Sequence, residues 1–192
     1  MIRRISALGL LAIAGTSMAA PATYNIDPQH TFPAFETDHM GGMSIWRGKF
    51  KTTSGKVVLD IAAKTGEVDV TVQTASVDFG LDAMDKHVKE DPAMLDVAKF
   101  PTASYKGKIS KWNGDAPAEI DGQLTLHGVT KPLKLTVNSF LCKPNPMNKK
   151  ETCGADASGT FNREAFGIDY GKSFGFKMDT KLLISIEAVK AN

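Results

Sequence analysis

The sequence predicts an all-β domain: a single antiparallel β-barrel of about eight strands, with short helices at residues 81–97 capping one end. Three observations predict it. Apolar and polar residues alternate with period two in segment after segment, as in a sheet with one dry face and one wet face. Turn signals such as Thr65-Gly66, Asn113-Gly114-Asp115 and Asn145-Pro146 separate those segments at hairpin distances. Helical patterning is scarce, and closing such a meander removes the exposed edges that a flat sheet would carry. A β-sandwich is the second architecture this pattern allows.

Residues 1–19 stand apart from that domain. Arg3 and Arg4 precede an apolar run from Ile5 to Gly15, and Ser17-Met18-Ala19 places small residues three and one before a cut after Ala19, the pattern of a cleaved signal peptide. A membrane anchor needs roughly 18 or more apolar residues, and no cysteine at the cut marks a lipoprotein. The barrel is therefore expected to occupy residues 20–192 and to reach the periplasm, or to be secreted. At 192 residues, 42% hydrophobic and 23% charged, the chain suits one domain with a real core. Losing the two signal arginines from 23 basic residues leaves 21 against 21 acidic ones. That balance sets aside nucleic acid and electrostatic attraction to anionic membranes, and Lys149-Lys150 reads as loop solvation.

Asp27-Pro28-Gln29-His30-Thr31 reads as a turn whose side chains cap backbone groups. Val57 to Ile61 is a strand, and Val68, Val70 and Val72 alternate with Glu67, Asp69, Thr71 and Gln73 in the next. Leu81 to Val97, LDAMDKHVKEDPAMLDV, is charged and methionine-containing, and Pro92 divides it into two short helices. A strand through Ala103 and Gly107 follows, then Ile120, Gly122, Leu124 and Leu126 alternate with Glu119, Asp121, Gln123 and Thr125. In LTLHGVTKPLKL, Gly128 supplies the φ > 0 conformation of a tight reversal, Thr130 bonds nearby backbone, and Pro132 fixes φ before the strand Leu133 to Leu141. Cys142 and Cys153 flank a Pro- and Asn-rich loop and, in an oxidising compartment, read as a disulfide across a hairpin base. A thioredoxin-type redox pair wants two intervening residues, and a zinc site wants more ligands. Arg163 to Met178 is a Phe- and Gly-rich loop with a helical turn, and Leu182, Ile184 and Ile186 mark the last strand.

The residues placed inward by this alternation are small: Ala155, Ala157 and Gly159 on one strand, Gly122 on another, Ala103 and Gly107 on a third. A packed barrel interior holds larger aliphatic groups. A ligand cavity and an interior filled by the helical segment or by Phe140 and Phe161 both remain open at this point.

The pieces YNIDPQHTFPAFETDHMGG, DKHVKEDPAMLDVAKFPTASY, LTLHGVTKP and GTFNREAFGID, in this order, together resemble the YceI-like family of periplasmic polyisoprenoid-binding proteins over nearly all of the chain beyond the signal. The resemblance implies a lipocalin-like barrel whose elongated tunnel holds the isoprenoid tail of a polyprenyl lipid or isoprenoid quinone. Phe35, Val70, Val72, Met84, Leu95 and Phe100 are expected to line the first half of that tunnel. Gly122, Leu124, Val137, Ala157, Gly159, Phe161 and Phe166 are expected to line the rest, with Asp85, His87 and Arg163 as candidate head-group contacts. The chain departs from the family in three places: Met84-Asp85-Lys86-His87 where Arg-Asp-x-His is usual, Met94-Leu95-Asp96 where two aromatics precede Asp, and Pro33 for a β-branched residue.

Binding without turnover is the expected activity, with no cofactor beyond the bound lipid. No G-x-S-x-G elbow occurs, and Gly42-Met43-Ser44-Ile45-Trp46 fails at its last position. The alternatives are a lipid- or peptide-directed hydrolase, a carrier for other long-chain amphiphiles such as fatty acids or amides, and an interaction protein with a solid interior. His30, His39, His87 and His127 are scattered without metal-site spacing, so no metal is expected. Arg163, beside Phe161 and Phe166, must reach water, pair with Asp96 or Asp169, or meet an anionic head group. The expected partner is a hydrophobic isoprenoid lipid, with no nucleic acid and no permanent membrane anchor; a homodimer is left open.

Overall fold

The computed structural model describes residues 20–192, so the expected signal peptide at residues 1–19 lies outside the described residues. In chain order the strands are β1 Ala22–Ile26, β2 Phe32–His39, β3 Ser44–Phe50, β4 Thr53–Asp60, β5 Thr65–Gln73 and β6 Val77–Asp78. They continue, after the helix α1 Asp82–Glu90, with β7 Thr102–Asn113, β8 Ala116–Leu126, β9 Val129–Pro144, β10 Glu151–Asn162 and β11 Asp179–Lys190. The order β1-β4-β5-β7-β8-β9-β10-β11 closes through a β1–β11 pairing into an eight-stranded antiparallel barrel. β2 takes over from β1 along the edge of β11, and β3 and β6 extend the wall beyond it.

The break between β1 and β2 is the turn expected at Asp27–Thr31. Asp27 Oδ1 accepts Gln29 N–H at 2.9 Å. The fully buried Thr31 hydroxyl donates to the Glu187 carbonyl and accepts from the Glu187 N–H, each at 3.1 Å, so β11 keeps its backbone groups satisfied where the strand crosses it.

The β8–β9 turn is shorter than its sequence implies. His127 (φ 51°) and Gly128 (φ 75°) make a two-residue reversal with both φ values positive, as in a type I′ turn. Val129 to Pro132 already pair with Leu126 to Gln123. His127 is held in this conformation by its Nδ1–H, which donates to the Phe166 carbonyl at 3.1 Å, and by its ring resting 4.1 Å from that of Phe100.

Two further expectations need correction. Leu81 to Val97 contains one helix followed by turns, not two helices: Pro92 forces Asp91 out of helical geometry (φ −73°, ψ 125°). The chain then folds back, Leu95 N–H donating to Val88 O at 3.0 Å and Val97 N–H to Lys89 O at 2.9 Å. In β9 the inward phase of Leu133, Leu135 and Val137 does not run on to Leu141. A bulge opposite Asp156/Ala157 leaves Asn138 unpaired, so Phe140 turns inward and Leu141 is 61% exposed. Beyond the bulge Cys142 and Cys153 face each other across the β9–β10 ladder and form the expected disulfide. The loop after β10 contains two short 3-10 turns, Arg163–Phe166 and Lys172–Phe174.

Candidate functional site

The core residues form the barrel wall rather than filling its interior, and a cavity of about 400 Å³ runs inside. This is within the usual range for small-molecule sites. Alternation builds it: inward residues of successive strands, among them Tyr24, Leu59, Val70, Leu124, Leu135 and Ile186, make a continuous apolar wall. α1 contributes Met84, His87 and Val88 from one face, at the i, i+3 and i+4 positions of a helix lying across the barrel. Its acidic residues Asp82 and Asp85 stand in the first turn and His87 and Lys89 in the last, as the helix dipole favours.

The charged and imidazole side chains that line the cavity, Asp38, His39, His87 and Arg163, come from one end. There β2 turns into β3 and there lie α1 and the loop after β10. Aromatic rings frame this rim: His39 stacks on Trp46 at 4.2 Å, Phe176 meets His39 edge-on at 5.0 Å, Phe79 meets Phe35 at 5.5 Å, and His87 meets Tyr170 at 4.7 Å. Asp38 Oδ2 accepts the Gly41 and Lys177 N–H groups at 2.9 Å each, which ties the β2–β3 turn to the late loop.

Arg163 is the unusual member. It is 8% exposed, its Nη1 donates to Ile168 O at 3.1 Å and its Nη2 to Tyr170 O at 2.8 Å. Its Nε has no partner, and it forms no ion pair among the described residues. Neither Asp96 nor Asp169 pairs with it. Burial holds its guanidinium below the ordinary range, against the opposing fields of Asp169 and Asp38.

Of the expected lining, Phe35, Val70, Val72, Met84, Leu95, Leu124, Val137, Ala157 and Phe161 do line the cavity, as do His87 and Arg163. Four others do not. The ring of Tyr105 covers Gly122, and Leu135 occupies the space over Gly159. Phe166, 2% exposed, is sealed edge-on against Phe161, and Phe100 packs on His127 and Gly128. Asp85 is buried with Oδ1 accepting the Phe79 N–H at 2.7 Å, which makes it a brace for α1 rather than a rim group. The lining residues Trp46, Phe79, Tyr170 and Phe176 were not anticipated. Trp46, Gly48 and Phe50 alternate with Arg47 and Lys49, a signal that would have found the first of them. Away from the cavity, Asp27, His30 and Glu187 place three potential donor atoms within 4.8 Å of one another at the surface, a cluster that sequence spacing did not reveal.

The profile of the YceI-like domain matches residues 24–189. A UPF0312 protein of Ectopseudomonas mendocina is 33% identical over 185 residues, covering 95% of this chain and 94% of that protein. Protein YceI of Salmonella arizonae is 33% identical over 184 residues, covering 94% and 93%. Among solved structures, BcnA of Burkholderia cenocepacia superposes with a TM-score of 0.68 at 20% identity, over 85% of this chain and 99% of that one. A polyisoprenoid binding domain from Saccharophagus degradans superposes with a TM-score of 0.61 at 13% identity, over 88% and 99%. At these identities the two structures speak for the fold.

Proposed function

The chain belongs to the YceI-like family, and from that premise we propose that it is a non-catalytic periplasmic carrier or store. Its barrel holds the isoprenoid tail of a polyprenyl lipid or an isoprenoid quinone. The observation that carries this reading is the 400 Å³ apolar cavity inside the closed barrel, with charged and imidazole groups confined to one end. Each CH2 moved from water into such a wall is worth about 0.8 kcal/mol, so about ten carbons offer on the order of 8 kcal/mol. The tail lies between Val70, Leu124, Leu135 and Ala157, and the head group lies at the rim beside His87 and Arg163. The fold shared with a polyisoprenoid binding domain supports the tail chemistry. The signal-like residues 1–19 and the Cys142–Cys153 bond support an exported, oxidising location.

The test is native mass spectrometry of protein isolated from the periplasm without detergent, followed by organic extraction. An isoprenoid lipid released chemically unchanged is the expected result, whereas a fatty acid or amide would name a different cargo. A chain that carries no lipid and takes up none, or one that hydrolyses an ester until a single Ser or His is replaced, overturns the carrier.

A further inference from the structure

The rim of the cavity pairs lining residues with exposed apolar neighbours. His39 lines the cavity and Met40 beside it is exposed; Trp46 lines it and Ile45 is exposed; the same holds for Phe79 and Leu81, and for Phe176 and Phe174. Met43, at the tip of the β2–β3 turn, is 73% exposed and Phe174 is 69% exposed. The two turns that carry them touch, since a Cβ on Gly41 would lie 3.1 Å from the Gly175 carbonyl. Residues 40–45, Met-Gly-Gly-Met-Ser-Ile, hold no charge of their own, Lys172 of the second turn is paired with Glu164, and the Lys177 ammonium stands beside the tip, 3.9 Å from where a Cβ on Gly42 would lie. Exposed apolar side chains scattered singly are ordinary, but a contiguous set around one opening is not.

We propose that this rim is a reversible membrane-docking surface: the β2–β3 tip and the Lys172–Phe174 turn insert Met40, Met43, Ile45 and Phe174 into the interface of a lipid bilayer and set the cavity mouth against it. This rests on the carrier reading, because an isoprenoid tail would otherwise cross open water to reach the mouth. The occupant is a lipid surface rather than a protein because residues 40–45 are apolar or uncharged, the one ammonium beside them, Lys177, suits a phosphate head group, and the tip is continuous with an opening whose cargo is itself a membrane lipid. The near-neutral charge balance of residues 20–192 makes docking apolar in character, so it persists at high salt.

The experiment is flotation of the full chain with protein-free phosphatidylethanolamine and phosphatidylcholine vesicles, at low salt and at about 1 M salt, where charge attraction is screened within about 3 Å. The wild type floats at both, and Met43→Ser with Phe174→Ser lowers vesicle partitioning by at least about tenfold, the loss of two partly inserted side chains. A control, Leu141→Ser with Met147→Ser, removes exposed apolar groups near the opposite end and leaves partitioning unchanged. Uptake of detergent-dispersed farnesol is measured for the same three proteins. Equal flotation of both variants, or a wild type that takes up farnesol but does not float, overturns the docking surface and leaves the carrier standing. A parallel arm uses vesicles that contain membrane proteins; flotation there but not with the protein-free vesicles means that the rim meets a protein, and overturns the docking surface as well. If none of the three takes up farnesol, the carrier reading and the docking built on it fall together.

Discussion

The ring of Tyr105 lies over Gly122 on the inner wall of the barrel. A Cβ on Gly122 would come within 2.4 Å of the Tyr105 ring and 2.7 Å of the Lys106 carbonyl, while the single Tyr105 O–H is shared between Leu133 O at 3.0 Å and Ile120 O at 3.2 Å. The tyrosine thus crosses a facing pair of glycines, Gly107 and Gly122, and joins β7 to the backbone of β8 and β9. The glycine makes room for that ring and not for cargo. Gly122→Ala should therefore lower stability by about 1–3 kcal/mol, the usual cost of overpacking. Urea denaturation checks this, and an unchanged midpoint would mean that the ring moves aside freely.

Ala157 is the opposite case, because it lines the open cavity. A phenylalanine there projects into space meant for ligand. Ala157→Phe should keep its unfolding free energy within about 1 kcal/mol of the parent and lose most of its co-purifying lipid. Full lipid occupancy in the folded variant would place the tail elsewhere.

The contrast between these two positions shows what the sequence could carry. Period-two alternation reports directly which face of a strand is dry, so the barrel, most of its inward residues and even Ala157 were legible. A small inward residue reports only that a Cβ or side chain is missing. It does not say which neighbour takes the space, and at Gly122 and Gly159 the takers, Tyr105 and Leu135, come from adjoining strands. The bulge at Asn138 was likewise silent, since nothing in the run Leu133 to Leu141 marks the residue that drops out of register. The rim assembles from segments as far apart as His39, Phe79 and Tyr170, and only the closed fold brings them together.

Cys142 and Cys153 are 11 residues apart, and closing a loop of that size stabilises by roughly 2–3 kcal/mol on the chain-entropy account. The bond lies by the β9–β10 hairpin, at the far end from the rim. Reduction, or Cys142→Ser with Cys153→Ser, should lower stability by about that amount while lipid uptake is retained. Thermal melts with and without reductant, alongside uptake, separate the two effects; loss of uptake in protein that is still folded would contradict a purely structural bond.

Asp27 and His30 perturb each other at the surface, 2.8 Å apart. The hydrogen bond to His30 is the largest influence holding Asp27 below its ordinary 3.8, and the same bond to Asp27 is the largest raising His30 above 6.5. His30 is raised, so its share of stability is full below its unfolded pKa and is lost as pH rises through the folded value. Asp27 is lowered, so its share is present above its unfolded pKa and is lost as pH falls through the folded value. The pair therefore acts in the window between the two. Asp27→Asn should bring the His30 titration, followed by NMR, back down toward 6.5. An unmoved titration would assign the shift to Glu187 instead.

Arg163 gives the sharpest test of what sits at the rim. The residue is 8% exposed, its guanidinium bonded at Nη1 and Nη2 to the carbonyls of Ile168 and Tyr170 and unpaired at Nε. A buried cation with no carboxylate bonded to it favours a ligand that brings a negative charge or a strong acceptor. Charge-assisted hydrogen bonds contribute about 1.5–3 kcal/mol, so a polyprenyl phosphate should bind roughly tenfold or more tightly than the polyprenol of equal length. Arg163→Met also strips two carbonyls of their donor and costs about 1–3 kcal/mol of stability. Absolute affinities of that variant are therefore ambiguous, but the ratio between the two ligands is not, because the folded fraction cancels. The expected outcome is that in Arg163→Met the ratio of the two affinities falls to about one. A preference that survives the substitution, or that the wild type never shows, places the head group away from Arg163 and leaves that side chain as a brace for its own loop.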